Sequence, residues 1–156
     1  MEKVINAIIE HTALSEGFSA RVYKCPAGFD TIGYGRNIEA NPLTKQEKSQ
    51  LRSDGSIDKE VALNWLRINL EKCYKELDST FSFFKDLDLV KKAVLVDLDY
   101  NMGIGTLKTF KNTLKHFENN NKDGIVAGLT NSRWYKQVGN RGKRIISFLE
   151  SGKISV

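Results

Sequence analysis

An α+β fold, with a small antiparallel sheet lobe and a larger helical lobe joined by a long helix, is predicted by three observations. Between Ser19 and Gly35 the chain alternates at period two around a Pro-Gly turn. A long stretch at helical period starts after Asp58. Beyond it the chain shows helical texture only.

The elements follow in order. Val4, Ile5, Ile8, Ile9 and Thr12 mark one face of a first helix, and Gly17 is its stop signal, so the helix ends near Ser15 or Glu16. Arg21-Val22-Tyr23 and Asp30 to Tyr34 read as strands. Cys25-Pro26-Ala27-Gly28 between them suits a type I turn, with Pro second and Gly fourth. Thr44 caps a short helix, with Glu47 three residues on. Ser53 to Ser56 is a loop, and Asp58 caps a helix from Lys59 to about Leu77, which would be about 30 Å long. A helix of that length can link two lobes or pack on one core. Val90 to Met102 is the most apolar segment and reads as a central helix stopped by Gly103. Helices near Thr109–Phe117 and Lys122–Leu129 follow, and Asn140 is expected to cap a last helix ending before Gly152.

The bulk numbers narrow the class. A chain of 156 residues, 40% hydrophobic and 28% charged, is long enough for one domain with a core of its own and argues against disorder. Two distant cysteines, Cys25 and Cys73, are no disulfide framework, so reduced thiols are expected. A net charge of +5 favours an anionic partner or simply keeps the protein in solution. No run of about twenty apolar residues exists to cross a bilayer, and the first residues lack the pattern of a secretory signal. Synthesis in the cytoplasm is the expectation. His11 and His116 are isolated and show no metal-ligand spacing, so neither metal nor cofactor is expected.

The stretch EGFSARVYKCPAGFDTIGYG, Glu16 to Gly35, concentrates the chemistry. Glu16 falls at a helix C-terminus, where the dipole disfavours carboxylate and raises the pKa, as partial burial also would. A carboxyl that keeps its proton is a general acid; an exposed helix-end glutamate is the plain alternative. Thr31, Gly33 and Gly35 share one parity, so they are expected on one strand face, with Ile32 and Tyr34 on the other. Such a face lets a polymer, or another strand, approach the backbone. Cys25 is either a small core thiol or part of the same site.

Glu16, Cys25 and Thr31 match the spacing Glu-x8-(Asp or Cys)-x5-Thr of endolysins similar to T-even phage lysozyme, glycoside hydrolase family 24. TIGYG resembles the family's T-I-G-x-G strand, Asn101-Met102-Gly103 the end of its central helix, and NSRWYKQVGNRGKRII its C-terminal signature. The blocks come in family order and span nearly the whole chain. The resemblance implies one lysozyme-like catalytic domain over residues 1–156. Its small lobe would cover about 14–58, its connecting helix about 59–78 and its helical lobe about 79–156 with the N-terminal helix, the lobes flanking a cleft. It implies a muramidase that hydrolyses the β-1,4 bond between N-acetylmuramic acid and N-acetylglucosamine in peptidoglycan. Glu16 would be the acid, Thr31 would hold water, and Cys25 would activate or orient it. Asn37, Tyr100 and Thr113 would bind sugar, as would Gly128, which offers no side chain. Arg141 would pair with Glu16 and lower its pKa against the dipole.

Many members have Asp where this chain has Cys25. A thiolate base, a nucleophile giving retention, and a polar steric element all stay open. Water activation with inversion is favoured, because a water-holding Thr31 has little purpose in direct attack by sulfur; Asp30 is a reserve base that alternation turns away. Tyr100 can serve as sugar contact or core; Trp134 and Tyr135 read as core. The partner expected is peptidoglycan, reached from the host cytoplasm through a holin-type pore, by a monomer without stable membrane insertion. Two other classes compete. A cysteine hydrolase would need a histidine base, and His11 is the nearest in sequence. A nucleic-acid binder would need a basic stripe, but here bases and acids are interleaved, so no nucleic-acid partner is expected.

Overall fold

The computed structural model describes residues 1–156. The order is α1 (Glu2–Glu16), β1 (Ser19–Lys24), β2 (Asp30–Gly33), β3 (Arg36–Asn37), α2 (Lys45–Ser49), α3 (Lys59–Thr80), α4 (Leu89–Lys108), α5 (Lys111–Glu118), α6 (Lys122–Thr130), α7 (Arg133–Val138) and α8 (Asn140–Ser151), with a 3-10 turn at Phe84–Asp86. It is an α+β architecture with one three-stranded antiparallel sheet in sequence order. No helix is long and apolar enough to cross a membrane.

The chain forms two compact units. One comprises Met1–Glu10 with Leu70–Val156, the other His11–Asn69. Both boundaries fall inside helices, in α1 and in α3, rather than in the loops where a domain linker would lie.

The 11–69 unit is built on the sheet. Ile32, Ile57, Ala62 and Trp65 form its core, flanked by Phe18, Tyr34, Ile38, Leu43, Leu51 and Val61. Each large apolar side chain fully buried contributes about 1.5–3 kcal/mol. A buried ion pair sits beside this core. The Arg36 guanidinium donates from Nη1 to Glu47 Oε2 at 2.8 Å and from Nη2 to Glu47 Oε1 at 2.9 Å. It also donates to the carbonyls of Asn41 and Pro42 and lies 5.8 Å from the centre of the Trp65 ring. Glu47 is the third residue of α2 and completes a capping box with Thr44, as its spacing predicts. The guanidinium hydrogen bonds hold the Glu47 carboxyl at a pKa of about 2, below its ordinary 4.5.

In the larger unit, Phe84, Leu95, Leu98, Phe117, Ile125, Leu129, Ile145 and Phe148 are buried, and α6 packs on α5 and α8. The helix α4 breaks at Gly103, whose φ of 81° no other residue type adopts cheaply. The expected stop signal is therefore real, and a short helical turn follows it. Asp99 of α4 is 3% exposed, and its Oδ2 has no hydrogen-bond partner. Burial, followed by the neighbouring Glu76 carboxyl, pushes the Asp99 carboxyl up to about 8.

Three details depart from expectation. Asn140 is not the cap of α8: it is the first helical residue, and the carbonyl of Gly139 accepts the helix's first N–H bonds. A separate α7 precedes it, capped by Ser132, whose side chain accepts from the N–H of Tyr135. The strand β3, two residues long, is too short to leave a periodic signal.

Candidate active site

Glu16 is the last residue of α1, and the chain turns at Gly17 into β1. The side chain of Glu16 lies against the backbone of Gly35. A methyl group added there would stand 2.4 Å from Glu16 Oε1 and 2.8 Å from its carboxyl carbon. The φ of Gly35 is also +73°, so both space and backbone demand glycine. Here lies the use of the alternate glycines, although their shared face does not survive. Gly33 has φ +68°, which interrupts the pleat, and a Cβ there would point at Ala62 and Ile57 in the core. Only Gly35 opens toward Glu16.

The β1–β2 hairpin carries the other two groups. The N–H of Gly28 donates to the carbonyl of Cys25 at 2.8 Å, closing the predicted turn. The N–H of Cys25 donates to the carbonyl of Phe29 at 3.0 Å. The Thr31 hydroxyl donates to the Phe29 carbonyl at 2.9 Å. The backbone N–H of Phe29, then those of Ala27 and Gly28 with the Thr31 hydroxyl, stabilise a negative sulfur and lower the Cys25 pKa against a smaller opposing effect of burial. Cys73 behaves oppositely: burial, and then the charge of Asp99, push its thiol far up.

This contrast sets a measurable expectation. Alkylation of Cys25 by iodoacetamide, followed by mass spectrometry across pH, should show a midpoint below the ordinary thiol value of about 8.5, while Cys73 stays unmodified. Thr31→Val should move the midpoint upward. A midpoint at or above the free-thiol value would remove the argument for an activated sulfur.

Asn37 lies across the sheet from Thr31 in the β2–β3 register. Its Oδ1 accepts from the N–H groups of Glu39 and Ala40, so that oxygen shapes a turn. Asp30 pairs with Lys24 at 2.8 Å, an engagement that suits a strand-end ion pair.

The remaining candidates belong to the larger unit. Tyr100 is half-buried on α4 and Thr113 is buried on α5. Gly128 faces Thr113 so closely that an added Cβ would sit 2.2 Å from its Oγ1, so helix packing accounts for this glycine. Arg141, in the first turn of α8, is buried and donates from Nε and Nη2 to Asp97 Oδ2 and Oδ1 at 3.0 and 2.9 Å. The carboxylate offsets the unfavourable dipole at that helix end. Trp134 is core, as expected, and its Nε1 donates to Asn101 Oδ1 at 2.8 Å.

A family model for phage lysozyme matches residues 13–148, a span that includes Glu16, the hairpin and Arg141. The chain belongs to the phage lysozyme family. Two of its relatives are from Dictyostelium discoideum, Probable T4-type lysozyme 1 and Probable T4-type lysozyme 2. Each is 26% identical to the chain, and each alignment covers 97% of the chain and 98% of the relative. Peptidoglycan hydrolase gp36 of Pseudomonas phage phiKMV is 27% identical over 84% of the chain, a match to 14% of that protein's length.

Within this phage lysozyme chain, two interactions near the predicted residues lack a local sequence pattern. Asp97 as the partner of Arg141 lies 44 positions away on another helix, and no local pattern connects them. Tyr23 reads from the sequence only as a strand residue, although the hairpin register aligns it with Thr31. Counting back across the Pro-Gly turn could have found that pairing.

Proposed function

We propose that the chain is a peptidoglycan hydrolase of the muramidase type, cutting the β-1,4 bond between N-acetylmuramic acid and N-acetylglucosamine. The observation that carries this reading is the Glu16 carboxyl seated against Gly35, in the same unit as a hairpin that joins Cys25 to Thr31. Membership of the phage lysozyme family supports it, as does the name of the phiKMV relative.

In the proposed reaction Glu16 gives its proton to the glycosidic oxygen as the bond to the leaving sugar breaks. Thr31 holds a water through its hydroxyl oxygen, and Cys25 as thiolate takes a proton from that water as its oxygen bonds to the anomeric carbon. The configuration inverts. Asn37, Tyr100 and Thr113 are assigned to sugar binding, and Arg141 to support of Glu16. The net charge of +5 helps the enzyme onto an anionic wall. Production in a host cytoplasm and release through a holin-type pore complete the reading.

One digestion tests both levels. Mass spectrometry of treated peptidoglycan should show muropeptides with reducing muramic acid ends and intact stem peptides. Cut stem peptides would instead favour a peptidase and end the glycosidase reading. Proton NMR of the first product should show the α anomer; an initial β product would move Cys25 from base to nucleophile.

A further inference from the structure

Tyr23 stands out from its neighbours on β1. It is the Cα partner of Thr31 in the antiparallel register, and directly opposed residues project from the same face of a sheet. Cys25 follows it at the same parity. Val22 and Lys24 take the other parity, and Lys24 is engaged with Asp30. Tyr23 therefore shares a face with the two hairpin residues assigned to water, yet Thr31 is 3% exposed and Tyr23 is 38% exposed.

The strand is also irregular at this place. Ser19 pairs with Gly33 and Tyr23 with Thr31, so four steps on β1 span two on β2. A bulge of this kind re-aims the residue that follows it. The phenol feels burial first and then the charges of Glu16 and Cys25, all of which raise its pKa and keep it neutral. A neutral, half-open ring beside a carboxyl and a thiol is unsuited to base catalysis. It is suited to contact with the apolar face of a ligand, its hydroxyl left to water.

We propose that Tyr23 is a substrate-positioning residue whose ring packs against the apolar face of an N-acetylated aminosugar held next to Thr31. The assignment rests on the reading of Glu16, Cys25 and Thr31 as the reacting groups. It adds a specificity element in the small unit itself: an aromatic platform that fixes the sugar plane relative to the water.

The test compares Tyr23→Phe with Tyr23→Ala on soluble, uncrosslinked peptidoglycan strands. Tyr23→Ala should raise KM about tenfold with a smaller change in kcat, whereas Tyr23→Phe should stay within about threefold of the parent. Neither should shift the pH profile or the thermal midpoint. A Tyr23→Ala enzyme within threefold of the parent overturns the proposal. So does a Tyr23→Phe enzyme as impaired as Tyr23→Ala, since the hydroxyl would then be the active part, and so does a moved pH limb, since the residue would then act through Glu16. Glu16→Gln in parallel separates the two levels. If it stays active, the site and the Tyr23 assignment fall together. If it is inactive beside an unaffected Tyr23→Ala, the Tyr23 assignment alone falls.

Discussion

Replacing Glu16 by Gln should slow the clearing of bacterial sacculi by about a thousandfold or more, because a positioned general acid typically contributes 10²–10⁴ and an amide has no proton to give at useful acidity. The substitution keeps shape and volume. The amide still fits the space against Gly35, so the thermal midpoint should stay at or slightly above the parent's. Circular dichroism and a turbidity assay on the same preparation make the measurement. Sacculi dissolved at the parental rate would rule out this carboxyl as the proton source. A loss of folding would be traced by the melting curve, and Glu16→Asp, which keeps the acid but withdraws it by one carbon, should then fold and remain slow.

The second large effect concerns stability. Arg36→Ala leaves the Glu47 carboxylate buried without its partner and also strips the carbonyls of Asn41 and Pro42 of a donor. Breaking a buried pair on one side costs about 3–5 kcal/mol, a large share of the 5–15 kcal/mol that hold a domain together. At this chain length each kcal/mol moves the midpoint by about 2–4 °C, so a fall of about 10 °C is expected. Arg36→Met with Glu47→Leu, which removes both charges together, should recover much of the loss. Urea melts of the parent and the two variants decide it, and a change below about 1 kcal/mol in Arg36→Ala would refute the buried-pair account.

The same pair sets the acid limb of stability. The folded pKa of Glu47 is about 2, below its unfolded value, so its contribution is complete above about pH 4.5 and is lost as pH falls through about 2. Asp99 works in the opposite sense. Its folded pKa is raised to about 8, so the folded state keeps a proton that the unfolded chain releases, and stability declines as pH rises from the ordinary aspartate range towards 8. Melting curves from pH 2 to 9 should therefore peak on the acid side of neutrality, and Asp99→Asn should flatten the alkaline decline.

Legibility followed the range of the interactions. The capping box at Thr44 and Glu47, the Cys25–Gly28 turn and the stop at Gly103 are local, and each lies where its residues put it. The shared face expected for Thr31, Gly33 and Gly35 is absent because strand parity assumes an unbroken pleat, and two positive φ values break it. Arg36 was silent for another reason. Nothing in its neighbourhood tells a buried arginine from a solvated one, since its partner Glu47 lies across a loop and reads first as a helix cap. Of the candidate site, the spacing of Glu16, Cys25 and Thr31 is readable, and the seat of the Glu16 carboxyl against Gly35 needs coordinates.

The close approach of Gly128 to Thr113 has a consequence for descent rather than for chemistry. The two positions share room for one side chain. A lineage that gains a methyl at 128 must first shrink or turn the residue at 113, and a lineage that enlarges 113 forfeits every choice but hydrogen at 128. Changes there should travel in pairs through the family tree, so drift at one position is hostage to the other.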